Sequence, residues 1–292
     1  MLILECLAIV ILNIIIIIIF VKQRHPQRRS TYLIIHLAIV DLLVGAVSGP
    51  LQIDKHLIVF CDLRNYSASI NIWLNHISFA LLHLFSFTSL VNLVFISLER
   101  LHATLRPFKH RFVKKWIYGV IITFIWLTTT ARESADIVLF EKEMSYFYIT
   151  STLYLPFFLI SVVLICACYI LIVVKVRCSR HPYHHGAASL RERKLTGTSL
   201  MVALVSLLCY LPAMTYLFAL IRHYDPRVKL SLRSYFHVRM TVVVTFLANS
   251  LVNPVIYVLR LPGFRARVSQ LFSRASNRAI QPDLPLRNLR PA

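Results

Sequence analysis

The stretch from Leu81 to Leu101 reads LLHLFSFTSLVNLVFISLERL. From Leu81 to Leu98 it holds no charged side chain, and it then stops on Glu99-Arg100. About 20 mostly apolar residues span the hydrocarbon of a bilayer as a helix, so the stretch predicts a membrane crossing. Ser86, Ser89 and Asn92 interrupt it. Hydroxyl and amide groups in hydrocarbon are costly and turn toward the inside of a helix bundle. The stretch therefore predicts one helix of a bundle, with its polar face buried.

Other runs of the same kind lie on both sides of it. The apolar pattern predicts seven spans: Met1–Val21, Tyr32–Gln52, Ile72–Leu98, Trp116–Ala135, Tyr148–Val174, Thr198–Ile221 and Tyr235–Leu259. The whole composition agrees. The 292 residues are 58% hydrophobic and 15% charged, whereas a soluble domain is roughly 45–50% apolar and about 25% charged. A soluble enzyme and a disordered chain are both excluded. Net charge is +20, which in a soluble protein would point to nucleic acid. Here the basic residues cluster between apolar runs, the pattern of cytoplasmic loops. No nucleic-acid partner is expected. Of the 32 Lys and Arg, 23 fall in the first, third and fifth links and in the tail, opposed there only by Glu99, Glu192 and Asp283. That places the N-terminus outside and the C-terminus in the cytoplasm of a multi-pass plasma-membrane protein. The first span begins at Met1, which reads either as a chain with no outer segment and no cleaved signal before the span or as a sequence truncated there. Residues 1–273 read as one bundle domain and 274–292 as a disordered basic cytoplasmic tail.

Polar residues inside the spans carry the chemistry. Asp41 stands alone in the second span and reads as the only acid deep in the core. Ser89 and Arg100 differ by about 20° around the third helix and lie about 16 Å apart along it. Asn249, Asn253 and Tyr257 recur every four residues on one face of the seventh. Pro254 removes a helix hydrogen bond and frees a carbonyl near Asn249 and Ser250. A carboxylate, a hydroxyl and amide oxygens at mid-membrane suit a small hard cation or a proton; they equally suit interhelical hydrogen bonding. At the cytoplasmic end, Glu99 adjoins Arg100, and Glu192 at the foot of the sixth span offers a second carboxylate. The cluster reads either as a latch between helix ends or as solvated charge.

In order and spacing these residues resemble the rhodopsin-like (class A) G-protein-coupled receptors from Met1 to about Ser273. The resemblance is carried by Asn13, Leu37-Ala38-Ile39-Val40-Asp41, Glu99-Arg100-Leu101 with Pro107-Phe108, Trp126, Cys209-Tyr210-Leu211-Pro212, and Asn253-Pro254-Val255-Ile256-Tyr257. It implies an all-α membrane protein, a seven-transmembrane helix bundle with a short amphipathic eighth helix opened by Phe264-Arg265. It implies a cell-surface receptor, not an enzyme, that binds an extracellular ligand and activates a heterotrimeric G protein by opening its cytoplasmic face. Under the resemblance, Asp41, Ser89, Asn249, Ser250 and Asn253 form a pocket for an allosteric Na+, with Asp41 and Ser89 as its metal ligands. No other cofactor is expected. Arg100 meets the G protein, Phe108 inserts into its α subunit, Glu192 is the resting-state latch carboxylate, and Tyr257 turns inward on activation. Tyr169 matches an inward tyrosine of the fifth helix when depth is counted from the cytoplasmic end; if Pro156 is the family proline, that position is Leu164.

The departures are informative. Asn75 stands where the family's outer disulfide expects a cysteine, and Cys61 is the sole outer cysteine. Melanocortin, cannabinoid and lysophospholipid receptors share that lack, a hint of that neighbourhood. Tyr210 replaces the switch tryptophan. Leu82 holds the place of the amine-binding aspartate, and Leu247 that of the retinal lysine, so neither amines nor retinal are favoured. Phe79, Leu82, His83 and Ser86, with Tyr210, Met214 and Tyr216, read either as packing or as an aromatic, mostly uncharged pocket. Such a pocket suits an apolar or amphipathic small molecule, without excluding a peptide. A basic rim of Arg222, Arg227, Lys229, Arg233 and Arg239 reads as solvated or as an attractor of acidic headgroups. Asn65-Tyr66-Ser67 is a glycosylation sequon. A transporter or channel would want repeats or a continuous polar path, and neither is present. A membrane enzyme would want paired aspartates, Gly-x-Ser-x-Gly or His-Glu-x-x-His, and none occurs. The alternatives that remain are a non-signalling or decoy seven-helix receptor and, ranked below it, a transporter or channel.

Overall fold

The structure is a computed structural model that describes residues 1–21, 31–54, 68–110, 112–141, 146–178, 187–222, 232–260 and 269–270. The predicted eighth helix, apart from helical residues 269–270, lies outside these, as do the tail, Asn65 and Cys61.

Seven long helices account for the architecture. They are α1 (Leu2–Val21), α2 (Thr31–Leu43, continuing helically to Asp54), α3 (Ala68–Leu105), α4 (Lys115–Glu141), α5 (Tyr146–Cys178), α6 (Ala187–Arg222) and α7 (Leu232–Arg260). A single four-residue turn of helix, Pro107–His110, joins α3 toward α4. No strand occurs among the described residues. Each predicted span has its helix. Most helices run several residues past the predicted edges, because the backbone keeps its hydrogen bonds after the side chains turn polar. Six of the seven pass a simple test of length and apolarity, and α4 does not. Thr128, Thr129, Thr130, Arg132 and Glu133 lower its hydropathy.

The bundle is apolar outside and partly polar inside. On α5, Leu159, Ile160, Val163, Ile170, Leu171 and Val174 are exposed, while Phe158, Ile165, Cys168, Tyr169 and Ile172 are buried. The exposed set is the surface that meets lipid tails. α3 is the axial helix and packs on α2, α4, α5 and α6. Its Phe87, Ser89, Leu90, Asn92 and Ser97 are closed from every side. α6 and α7 form the most extensive pair, and α1 closes the ring by packing on α2 and α7.

Two local irregularities position the site. Val44–Ser48 of α2 is a π-turn, which rotates the helix beyond Asp41 relative to the part before it. Pro254 leaves the Ser250 carbonyl without its helix donor. Asn13 Nδ2 from α1 donates to that carbonyl at 3.2 Å, so the proline's cost is met by a neighbouring helix.

Candidate functional site

At mid-membrane, α2, α3 and α7 converge on Asp41, whose side chain is fully buried. Oδ1 accepts from Ser250 Oγ at 2.9 Å and from Ser89 Oγ at 3.4 Å. Oδ2 accepts from Asn253 Nδ2 at 2.7 Å. These are residues that the sequence grouped, and the structure brings Asp41, Ser89, Ser250 and Asn253 into direct contact. Asn249 joins one step away: its Nδ2 donates to Tyr210 Oη at 3.2 Å. Tyr210 Oη in turn donates to the Ser86 carbonyl at 2.6 Å. The tyrosine that replaces the expected tryptophan thus ties α6 to α3 and α7. A tryptophan nitrogen donates only, so it could not make both contacts.

Around Asp41 the carboxylate and the hydroxyls of Ser89 and Ser250 offer oxygen ligands, while Asn253 presents its Nδ2. Among the described residues, Asn249 Oδ1 and Asn253 Oδ1 are buried and have no hydrogen-bond donor. A carboxylate, two hydroxyls and two such amide oxygens suit a hard monovalent cation, so the residues fit the ion that the resemblance implies. Among the described residues, no group of three or more His, Cys, Asp or Glu side chains could hold a metal ion.

At the far end of α3, Glu99 is a hub. Its Oε2 accepts from Arg100 Nε at 2.7 Å and also meets Arg100 Nη2. His110 Nε2 lies 2.8 Å from Oε1, and Tyr118 Oη donates to the same oxygen at 3.5 Å. The Arg100 side chain is buried. Glu99 is thereby bound to the turn Pro107–His110 and to α4. The sequence reading of this end named Glu99, Arg100 and Phe108 but missed His110 and Tyr118, since only the fold brings positions 11 and 19 residues away onto Glu99. Phe108, on that turn, is 79% exposed. Tyr169 faces inward, whereas Leu164 is 42% exposed. Tyr257 is buried with its ring edge on Phe20. Pro212 lies inside α6 and Pro254 inside α7. Glu192 lies on α6 and so does Tyr216, but their side chains fall outside the described set.

Toward the other end, His83 sits among rings, 6.0 Å from Phe79, 6.1 Å from Phe246 and 4.7 Å from Tyr154. Tyr154 Oη lies 2.9 Å from His83 Nδ1. Leu82, Ser86 and Met214 are buried beside this cluster. One expectation is corrected here. Asp41 is not the only deep acid: Glu133 of α4 is 5% exposed, and Arg132 beside it 8%. The two form an ion pair, and Tyr154 Oη donates to Glu133 Oε2 at 3.3 Å. The adjacent charges in Ala131-Arg132-Glu133-Ser134 resemble a helix leaving the membrane. Counting depth from Trp126, about 9 Å away at 1.5 Å per residue, would have flagged them.

The comparisons with known proteins agree with this architecture. No curated protein matches the chain by sequence. The crystal structure of squid rhodopsin superposes with a TM-score of 0.74 at 18% identity, covering 99% of this chain and 87% of that one. At that identity the likeness speaks for the fold. The family model for the 7 transmembrane receptor (rhodopsin family) matches residues 12–257. The match runs from the residue before Asn13 to Tyr257, through every polar position of the mid-membrane network, and the chain belongs to the rhodopsin family of seven-transmembrane receptors.

Proposed function

We propose that the protein is a cell-surface receptor, N-terminus outside, which binds an amphipathic or apolar extracellular ligand and activates a heterotrimeric G protein. The observation that carries this reading is the coupling end of α3. Arg100 is buried and held by Glu99, while Phe108 stands exposed on a turn that His110 fixes to the same carboxylate. A guanidinium held in one state can be released in another, and Glu192 on α6 is the further carboxylate that would hold it closed. Outward movement of α6 about Pro212 would free Arg100 for the G protein. The membrane family supports the receptor class, and the buried aromatic cluster around His83 supports an uncharged ligand body. Asp41 and its partners would hold an allosteric sodium ion in the resting state.

The test is a lipid and amphiphile screen on cells expressing wild type and Arg100→Ala at matched surface levels, with cAMP, calcium and G-protein activation read in parallel. A ligand that acts on wild type and not on Arg100→Ala supports the reading. Responses equal in both, or equal to untransfected cells, would overturn it.

A further inference from the structure

On the helical turn after α3, Pro107, Phe108 and Lys109 are exposed, and only His110 is partly covered. Its side chain is 20% exposed and faces Glu99, which is 8% exposed. His110 Nε2 lies 2.8 Å from Glu99 Oε1, eleven residues back on α3. Glu99 binds the Arg100 guanidinium through its other oxygen, Oε2, as an ionised carboxylate does. A carboxylate only accepts, so the imidazole must donate, and the neutral ring carries its proton on Nε2. Nδ1 is then the bare nitrogen. A second proton there leaves the Nε2–H bond to Glu99 in place and changes only its charge.

The groups around His110 decide what that charge does. From α3 come Glu99, with Arg100 on its far oxygen, and His102, whose ring centre is 5.6 Å from that of His110. From α4, Tyr118 Oη donates to Glu99 Oε1 at 3.5 Å. Next to His110 along the chain, Arg106 and Lys109 are turned to solvent. Glu99 is the only acid in this set. With His110 neutral, one carboxylate faces one buried cation, Arg100. With His110 protonated, the same carboxylate serves two cations. The bond to the turn becomes an ion pair and strengthens, while Arg100 shares its counter-charge and is held less firmly. Both changes favour the coupling state, in which the Phe108 turn is fixed and Arg100 is free to leave Glu99.

We propose that His110 is a proton-sensitive positioning residue of the coupling end: its protonation from the cytoplasm clamps the Phe108 turn to Glu99, loosens the hold of Glu99 on Arg100, and so raises G-protein activation. Histidine is the side chain that ordinarily changes charge between about pH 5 and 8. The clamp is complete below that range and is lost as pH rises through it. The proposal rests on the coupling reading above and adds its regulation.

The experiment uses the full chain in lipid nanodiscs and two readouts. The first is agonist-free nucleotide exchange on a panel of purified Gα subunits, between about pH 6 and about pH 8, each rate divided by the receptor-free rate at the same pH. Wild type should rise by about threefold to tenfold from the alkaline to the acid end. His110→Gln keeps an N–H donor but takes no charge, and should stay at the alkaline level throughout. His110→Arg is charged throughout, and should stay at the acid level. The second readout is hydrogen–deuterium exchange of the His110, Phe112 and Val113 amides, which bond to the carbonyls of Arg106, Lys109 and His110. Corrected for the intrinsic pH dependence of exchange, their protection should rise several-fold with acid in wild type and not in His110→Gln. If His110→Gln does not fold, His110→Arg carries the comparison, with protection high at both ends. A flat wild-type profile of protection, receptor-driven exchange that is flat or falls with acid, or either variant keeping the wild-type pH dependence overturns the proposal. The second readout needs no G protein. Acid-dependent protection with exchange at the receptor-free rate at every pH would therefore overturn the coupling and leave the clamp standing.

Discussion

Asp41 accepts three side-chain hydrogen bonds from two other helices. Its four partners in the sequence reading were grouped by the family resemblance, while helix periodicity alone placed only Asn249 and Asn253 on one face. That Ser250 would contact it more closely than Ser89, and that Asn249 would turn to Tyr210 instead, depends on helix rotation and could not be read. Arg132 shows the opposite limit. Its identity was plain, but its burial was not, because an Arg-Glu pair near a helix end resembles an exit into water. Asp41→Asn keeps the size of the side chain and removes the charge that would hold a cation. Titration of NaCl against agonist or inverse-agonist binding should show sodium sensitivity in wild type and none in Asp41→Asn. Coincident titrations would leave the network as interhelical hydrogen bonding alone.

At the scale of elements, the spans were legible because hydrocarbon thickness sets their length and lipid sets their surface. The π-turn at Val44–Ser48 was not, because its cause is tertiary: α2 must pass close to α1 there. A Cβ added to Gly45 would meet Ile9 Cγ2 at 2.8 Å and Cys6 O at 3.2 Å. Small residues permit such approaches between membrane helices, while Ile9 is wholly buried and has nowhere to move. Gly45→Ala should therefore destabilise the protein by about 1–3 kcal/mol. Thermal unfolding in detergent would register it as a lowered midpoint. Ile9→Ala, which removes the clashing methyl, should restore part of the loss in the double variant; a Gly45→Ala midpoint equal to wild type would show that α1 gives way freely.

For the molecule as a whole, topology and family were readable from the order of a few motifs, since each sits at a fixed depth in a fixed helix. What the ligand is was not readable, because the cluster of His83, Tyr154, Arg132 and Glu133 is assembled from α3, α5 and α4 and no single segment contains it. The same distinction bears on the outer disulfide. Cys6, Cys166, Cys168, Cys178 and Cys209 are all free thiols, and Cys61 is the remaining cysteine. Dithiothreitol should leave surface expression and ligand binding unchanged; loss of binding would reveal a bridge from Cys61 to another chain.

The proposed coupling requires that the Glu99-Arg100 end of α3 be a latch that also serves the G protein. Agonist-free nucleotide exchange on a panel of purified Gα subunits, with receptor in nanodiscs, tests it most directly. An ion pair near a wet surface contributes about 0–1 kcal/mol, and more when partly buried. About 1.4 kcal/mol shifts a two-state equilibrium tenfold. Glu192→Ala should accordingly raise basal exchange on at least one Gα, up to about tenfold, because it removes a contact made only in the closed state. Arg100→Ala should reduce exchange to the receptor-free rate, because the same guanidinium serves the open state. Exchange equal to the receptor-free rate with wild type and both variants, all folded by thermal unfolding, would contradict the account.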